Sequence, residues 1–335
     1  MKNCLKLAGL GLTAAAVAAP AFAEVAINQY LSVDGYAVAA GLISDKPPGS
    51  DKKASTLFNS GSEQYDSAKF GIAGKYKDFG GYVSLLYVPE RGSDSSSGIL
   101  DIYATWTAGD FTVTGGKFLS YLGYESFYPI NMTQISYSLV AGIPAYHTGV
   151  KVDYAGKDFA VGVAVVDSLQ PSGTTGAFFE GDGDFSDVGF EAYVSYTGID
   201  SLTVFVGLGF DTGNNDTADE DSQLVVDIWA SYAINEKLTI AGEFTYAEDV
   251  ANYSWLVLAQ YAFTDKISGI ARISGRDGVN YDPDDNLGGD DGLMFTLSPT
   301  YTVTENLSIR AEVSYTDWNK SDSEWFYGVQ ALFKF

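Results

Sequence analysis

Few residues in this sequence could do bond-making chemistry, and most of those are acids. One histidine, His147, and one cysteine, Cys4, occur in 335 residues. Cysteine–histidine zinc sites and Cys-x-x-Cys redox pairs need more of both. A serine hydrolase needs a histidine beside an activated serine. His147 is the one candidate, and no Gly-x-Ser-x-Gly elbow accompanies it. Lysine and arginine total 19 against 43 aspartates and glutamates, a net charge of −24. Phosphate contacts need a basic face, so nucleic acid is excluded as a partner. The acids cluster in polar stretches, of which Asp282-x-Asp284-x-Asn286 has the spacing of a calcium loop. Leu287 stands where that loop needs glycine, and Leu293 where its twelfth position needs glutamate. These acids either hold a divalent cation weakly or are solvated and repel anions. No cofactor is expected.

Met1–Ala23 has the parts of a secretory signal peptide. Lys2 and Lys6 form the basic start, Leu7–Ala19 the apolar stretch, and Ala21-Phe22-Ala23 the small-x-small site for cleavage before Glu24. Removal takes two lysines and the only cysteine, which leaves the chain more acidic still. An exported chain without disulfides must be stabilised by something else.

Residues 24–335 read as strand throughout. Leu307, Ile309, Ala311, Val313 and Tyr315 alternate with Ser308, Arg310, Glu312 and Ser314. The same period of two runs through Leu202–Phe210, Leu238–Tyr246, Leu293–Val303 and Trp325–Phe335. Sixteen strands are expected. They begin near Leu31, Lys69, Gly81, Ile99, Phe111, Thr148, Phe159, Asp187, Leu202, Gln223, Leu238, Asn252, Ile267, Leu293, Leu307 and Glu324. Seven short turns alternate with eight long, acidic loops, which puts every turn and both termini at one end. An aromatic precedes each turn on the apolar face: Tyr76, Trp106, Tyr154, Tyr196, Tyr232, Tyr261 and Tyr301. A soluble sandwich has no use for such a girdle. An all-β transmembrane barrel does, with an apolar exterior and a polar interior.

Alternation also assigns the inward charges. Lys69, Lys75, Arg272, Arg276 and Arg310 fall in one sector of a closed wall. Asp101, Glu191, Asp227 and Glu243 fall largely elsewhere. The two sets either set up a field across the lumen or are neutralised by local pairs such as Lys151 with Asp153 and Arg310 with Glu312.

Some segments resemble known families. The last strand, with Tyr327, Phe333 and terminal Phe335, resembles the C-terminal signature of Gram-negative outer-membrane proteins. That signature implies the barrel-assembly machinery as a partner and outer-membrane lipid as the environment. Gly116-Lys117-Phe118, Gly123-Tyr124-Glu125, Pro144 and His147-Thr148-Gly149-Val150 resemble the central segment of the β-barrel porin-2 family. The resemblance implies a long loop joining two strands and a porin. It is similar to sixteen-stranded general porins in having its third long loop here, at 119–146. By that analogy the loop folds inward and constricts the pore, and the barrel forms a homotrimer. Tyr121, Tyr124, Glu125, Tyr128 and Tyr137 would then either meet solute or pack the loop on the wall. The expected function is passive diffusion of small polar solutes and ions with weak cation selectivity. A sugar-specific channel and a non-conducting structural or adhesive barrel are the alternatives. A barrel lipase is disfavoured, because His147 lies inside the porin-like segment.

Overall fold

Strands with one apolar face must bury that face or offer it to lipid, and in lipid their backbones must pair on both sides. A computed structural model describes residues 24–45, 54–58, 65–89, 96–169, 188–212, 223–248, 250–278 and 290–335. Its wall begins with β1 (Leu31–Ser44), β2 (Ser67–Tyr76), β3 (Phe79–Val88), β4 (Ser96–Ala108), β5 (Phe111–Leu119) and β6 (Tyr146–Ala155). It continues with β7 (Phe159–Val166), β8 (Gly189–Tyr196), β9 (Leu202–Asp211), β10 (Gln223–Ala233) and β11 (Leu238–Ala247). The last five are β12 (Ala251–Ala262), β13 (Ile267–Gly278), β14 (Gly292–Thr302), β15 (Leu307–Trp318) and β16 (Glu324–Lys334). Each is antiparallel to its neighbours, and β16 pairs back on β1 from Lys334↔Tyr36 to Phe326↔Ser44. The protein is a closed sixteen-stranded antiparallel barrel. Short strands Val25–Ala26 and Ala54–Leu57 also pair on β1. Among the described residues no helix is long and apolar enough to cross a membrane.

The pleat sorts the side chains. Leu85, Ile102, Val163, Val257, Leu297 and Val329 stand outward and more than half exposed. Such a band is costly in water and is the natural contact with lipid tails. Tyr76, Trp106, Tyr196, Tyr232, Tyr261 and Tyr301 are exposed at the short-turn end. Tyr154 is half-buried there, its ring 5.0 Å from Phe111 and 5.6 Å from Phe159.

Three of the seven short turns share one device. Asn235, Thr264 and Thr304 each accept two backbone N–H bonds from residues two and three positions on. In each, the preceding residue's N–H donates to the carbonyl that opens the next strand: Ile234 to Leu238, Phe263 to Ile267, Val303 to Leu307, all 2.9 Å. These are side-chain-closed turns, in which a short oxygen acceptor does what a backbone carbonyl would otherwise do. Asn28 repeats the pattern with Tyr30 and Leu31, and Ile27 N–H donates to Leu31 O. The chain therefore enters β1 through a fourth copy of the turn, one the sequence reading passed over.

Two expectations change. The connections β11–β12 and β15–β16 span only residues 248–250 and 319–323, so two of the eight opposite-end loops are short. Pairing simply runs further along these strands, to Ala247↔Ala251 and Thr316↔Glu324. In β4 the register against β3 shifts between Val83 and Leu85. Leu100 and Asp101 are consequently both buried, as a bulge allows.

Candidate functional site

The segment between β5 and β6 leaves the wall through a narrow neck. Gly116 pairs with Gly149, Lys117 with Thr148, Phe118 with His147 and Leu119 with Tyr146. Ser120 N–H then donates to Ala145 O at 2.8 Å. Gly116 has φ +135°, and a Cβ there would lie 2.2 Å from Ile102 O. A Cβ at Gly149 would lie 2.2 Å from Val165 O. Both neck glycines are thus fixed by backbone crowding, and Gly116 by its φ as well. A Gly116→Ala exchange is expected to lower barrel stability by ~2 kcal/mol or more. Gly115→Ala, whose Cβ would meet only Val150 Cγ2 at 4.0 Å, should cost far less. Urea unfolding of the two variants compares them directly.

Beyond the neck, inward side chains of the wall bind the segment's backbone along its length. Glu191 on β8 accepts from Ser120 Oγ and from Tyr121 N–H. Asp227 on β10 accepts from Gly123 N–H at 2.8 Å, and Glu243 on β11 from Tyr124 N–H at 2.7 Å. Gly123 has φ +99°, which presents that N–H where a side-chained residue could not. Glu312 on β15 accepts from Ile135 and Ser136 N–H. Ser274 on β13 and Ser254 on β12 accept from Leu139 and Ala141 N–H at 3.2 and 3.0 Å. The basic side chains take the carbonyls. Arg310 donates to Pro129, Met132 and Gln134 O, and Arg272 to Ser136 and Tyr137 O. A strand-free backbone away from water needs partners for every polar group, and the wall supplies them. The segment's backbone is therefore tied to side chains of the wall from β8 round to β15.

The model of the family described as "Putative beta-barrel porin-2, OmpL-like" matches residues 31–334. The chain belongs to this family. Among solved structures this porin-2 barrel is similar to outer-membrane-expressed OmpT of Vibrio cholerae, at 18% identity and TM-score 0.59, covering 93% of this chain and 100% of that one. In-vitro folded V. cholerae OmpT in its trimer form matches at 16% identity and TM-score 0.59, covering 92% and 100%. The anion-selective porin from Comamonas acidovorans matches at 11% identity and TM-score 0.68, covering 91% and 99%. At such identities the likeness is one of fold, that of outer-membrane barrels. A search of curated proteins finds no match.

In the porin-2 barrel the inward charges are placed as follows. Lys69 is buried, 3.0 Å from Asp101 Oδ2, and donates to Tyr128 Oη at 3.1 Å. Tyr128 and Tyr146 hydroxyls both donate to Asp101. Burial holds the Tyr128 phenol well above its ordinary pKa, so it remains a neutral donor. Glu125 bonds the Arg272 guanidinium, Gln134 Nε2 and Ser138 N–H. Tyr121 lies 4.6 Å from the Tyr193 ring, Tyr124 lies 5.5 Å from Trp229, and Tyr137 Oη donates to Phe127 O at 2.9 Å. Lys75 sits exposed at the short-turn end, and Arg276 sits at the other end over Trp318. No ion pair within 4 Å joins Lys151 to Asp153 or Arg310 to Glu312 among the described residues. Lys151 instead lies 4.6 and 4.7 Å over the Phe118 and Tyr121 rings. His147 faces Ser168 O through Nδ1 at 2.7 Å and Glu191 through Nε2 at 3.1 Å.

Glu312, Ser254 and Ser274 are anchors that the sequence reading missed as such. Their parity on β15, β12 and β13 was the available signal. Ala23, Asp282, Asp284 and Asn286 lie outside the described residues. Glu24 accepts a hydrogen bond from Ser32 Oγ. Phe335 pairs with Gly35 through two 3.1 Å backbone bonds. No cluster of metal-ligating side chains occurs among the described residues.

Proposed function

We propose that this barrel is a passive channel for small polar solutes and ions, with segment 119–146 setting its narrowest section. The observation that carries the reading is the line of hydrogen bonds from inward side chains of β8, β10–β13 and β15 to that segment's backbone. A segment held this way narrows the bore without blocking strand closure, and a polar bore lowers the cost of moving solutes through lipid. Tyr121, Tyr124, Glu125, Tyr128 and Tyr137 belong to this segment, and their contacts favour packing over solute contact for most of them. Cleavage after Ala23, assembly through the barrel-assembly machinery at Phe335, and a homotrimer in outer-membrane lipid complete the proposal. The likeness to the trimer form of OmpT supports the last part.

Weak cation selectivity follows from where charge is left free. Among the charges engaged with the segment, Glu191, Asp227, Glu243 and Glu312 outnumber Arg272 and Arg310, so these anchors add no net positive field. A large share of the excess of 43 acids over 19 bases lies in the loops and acts at the mouth. Such a mouth concentrates cations, less so as salt screens it over ~3 Å at molar strength. Reversal potentials across planar bilayers should show cation preference at low salt that fades toward neutrality at 1 M, roughly the limit set by that screening. Anion preference at low salt would mean that Lys69, Arg272 and Arg310 control permeation.

A further inference from the structure

His147 is the one histidine of the chain, and nothing described so far uses it. It is the second residue of β6, in the neck of the segment, and its side chain is fully enclosed. Phe118 of β5 stands opposite it. Its Nδ1 lies 2.7 Å from Ser168 O, and its Nε2 lies 3.1 Å from Glu191 Oε1 on β8. Both partners are acceptors. A neutral imidazole has one N–H and could satisfy only one of them.

Glu191 decides where the extra proton sits. Its Oε1 also accepts from Ser120 Oγ, and its Oε2 accepts from Tyr121 N–H at 3.1 Å. Two segment donors already converge on it, which is how a carboxylate is bound and a carboxylic acid is not. The proton is therefore on Nε2, and an imidazolium faces a carboxylate. The other charged groups nearby have their own partners. Asp167, just past β7, accepts from Thr148 and Ser168 N–H, both at 3.0 Å. Asp211 of β9 accepts from Ser168 Oγ at 3.2 Å and from Leu169 N–H at 2.6 Å. On β6 itself, Lys151 lies over the Phe118 and Tyr121 rings, and Asp153 accepts from Tyr193 Oη at 3.4 Å. Lys117, next to Phe118 on β5, belongs to the opposite face of the sheet.

We infer that this single proton clasps the segment to the wall where it leaves the neck, and that its loss in alkali releases residues 120 and 121. With the proton in place, the imidazolium holds the Glu191 side chain, and the carboxylate holds Ser120 and Tyr121. Without it, an Nε2 lone pair faces Oε1 across 3.1 Å in a site closed to water. Lone pair and carboxylate repel there, so the clasp opens as pH rises and closes as pH falls. His147 is thus a positioning residue that acts on the segment through Glu191. Any effect on current rests on the channel reading given above. The clasp itself needs only the folded barrel.

A tag-free barrel carries only this imidazole, so its ring-nitrogen NMR signals need no assignment. At about pH 7 both nitrogens should give the shift of a protonated nitrogen. Hydrogen exchange at the Tyr121 amide reads the release. Corrected for the intrinsic base catalysis of exchange, it should quicken about tenfold between about pH 7 and about pH 10, the weight of one charge-assisted hydrogen bond. In His147→Gln, whose side-chain amide can donate to Glu191 at any pH, the corrected rate should stay level. A neutral ring at about pH 7, or the same quickening in His147→Gln, would overturn the inference. The ring measurement needs no variant, so it decides even where His147→Gln folds poorly. If ring and exchange behave as expected while planar-bilayer current ignores pH, the clasp stands and the channel reading fails.

Discussion

Excision of residues 121–144 should raise single-channel conductance several-fold while the barrel still closes. The neck makes the experiment feasible. Ser120 and Ala145 are already hydrogen-bonded at 2.8 Å, so a short glycine–serine turn can join them without moving β5 or β6. The wall does not need the segment for its own backbone pairing, which runs strand to strand round the ring. What the excision removes is chain across the bore, and sixteen strands enclose an aqueous lumen when nothing crosses it. The carboxylates and guanidiniums that held the segment would then face water. Planar-bilayer recordings of the refolded variant give the answer. Unchanged conductance would place the segment at the rim and withdraw Tyr124, Glu125 and Tyr128 from the pore.

The second large effect is expected at Arg272. Its guanidinium bonds Glu125, Ser136 O, Tyr137 O and Thr296 Oγ1, with its side chain fully buried. Arg272→Ala leaves the Glu125 carboxylate enclosed with no cation and two segment carbonyls with no donor. Breaking one side of a buried pair costs about 3–5 kcal/mol. Removing both charges costs much less, because neither is then stranded. The urea midpoint of Arg272→Ala should therefore fall well below that of the Arg272→Met, Glu125→Gln double variant. The single variant should also show flickering current, since residues 125–138 lose the tie that holds them to β13. Equal midpoints for the two variants would mean that the pair contributes nothing to holding the segment.

The wall was legible in the sequence because lipid imposes a simple code. A strand crossing a membrane must be apolar on one face, and Leu307–Tyr315 or Trp325–Phe335 display that period with little noise. The inward parity of Asp227, Glu243 and Arg272 was equally readable. Their partners were not. Nothing in a period of two says that Asp227 meets Gly123 N–H, because the two are 104 positions apart and the contact depends on where an irregular segment runs. Local alternatives looked closer at hand, such as Arg310 with Glu312. In the structure these neighbours divide the work: the arginine takes carbonyls of residues 129–134 and the glutamate takes the N–H groups of 135 and 136. The bulge that buries both Leu100 and Asp101 was beyond reach for a related reason, since register is a property of two strands and the alternation of each is read alone.

The seam between β16 and β1 carries a consequence for the order of events in assembly. Gly35 and Phe335 exchange two backbone bonds, and a Cβ at Gly35 would collide with the Phe335 ring at 2.6 Å. The first strand thus waits for the last strand of the wall. Loop closure over such a span adds only ~0.6 kcal/mol for each doubling of its length, so the delay is a matter of time more than of stability. During that interval β1 and β15 each present a long, unpaired margin beside an apolar face, the arrangement most prone to join other chains. A nascent chain cut off before β16 would keep both margins for good. Shielding must therefore last until β16 has paired with β15 on one side and β1 on the other, and that seam is the point at which the protein ceases to need an escort.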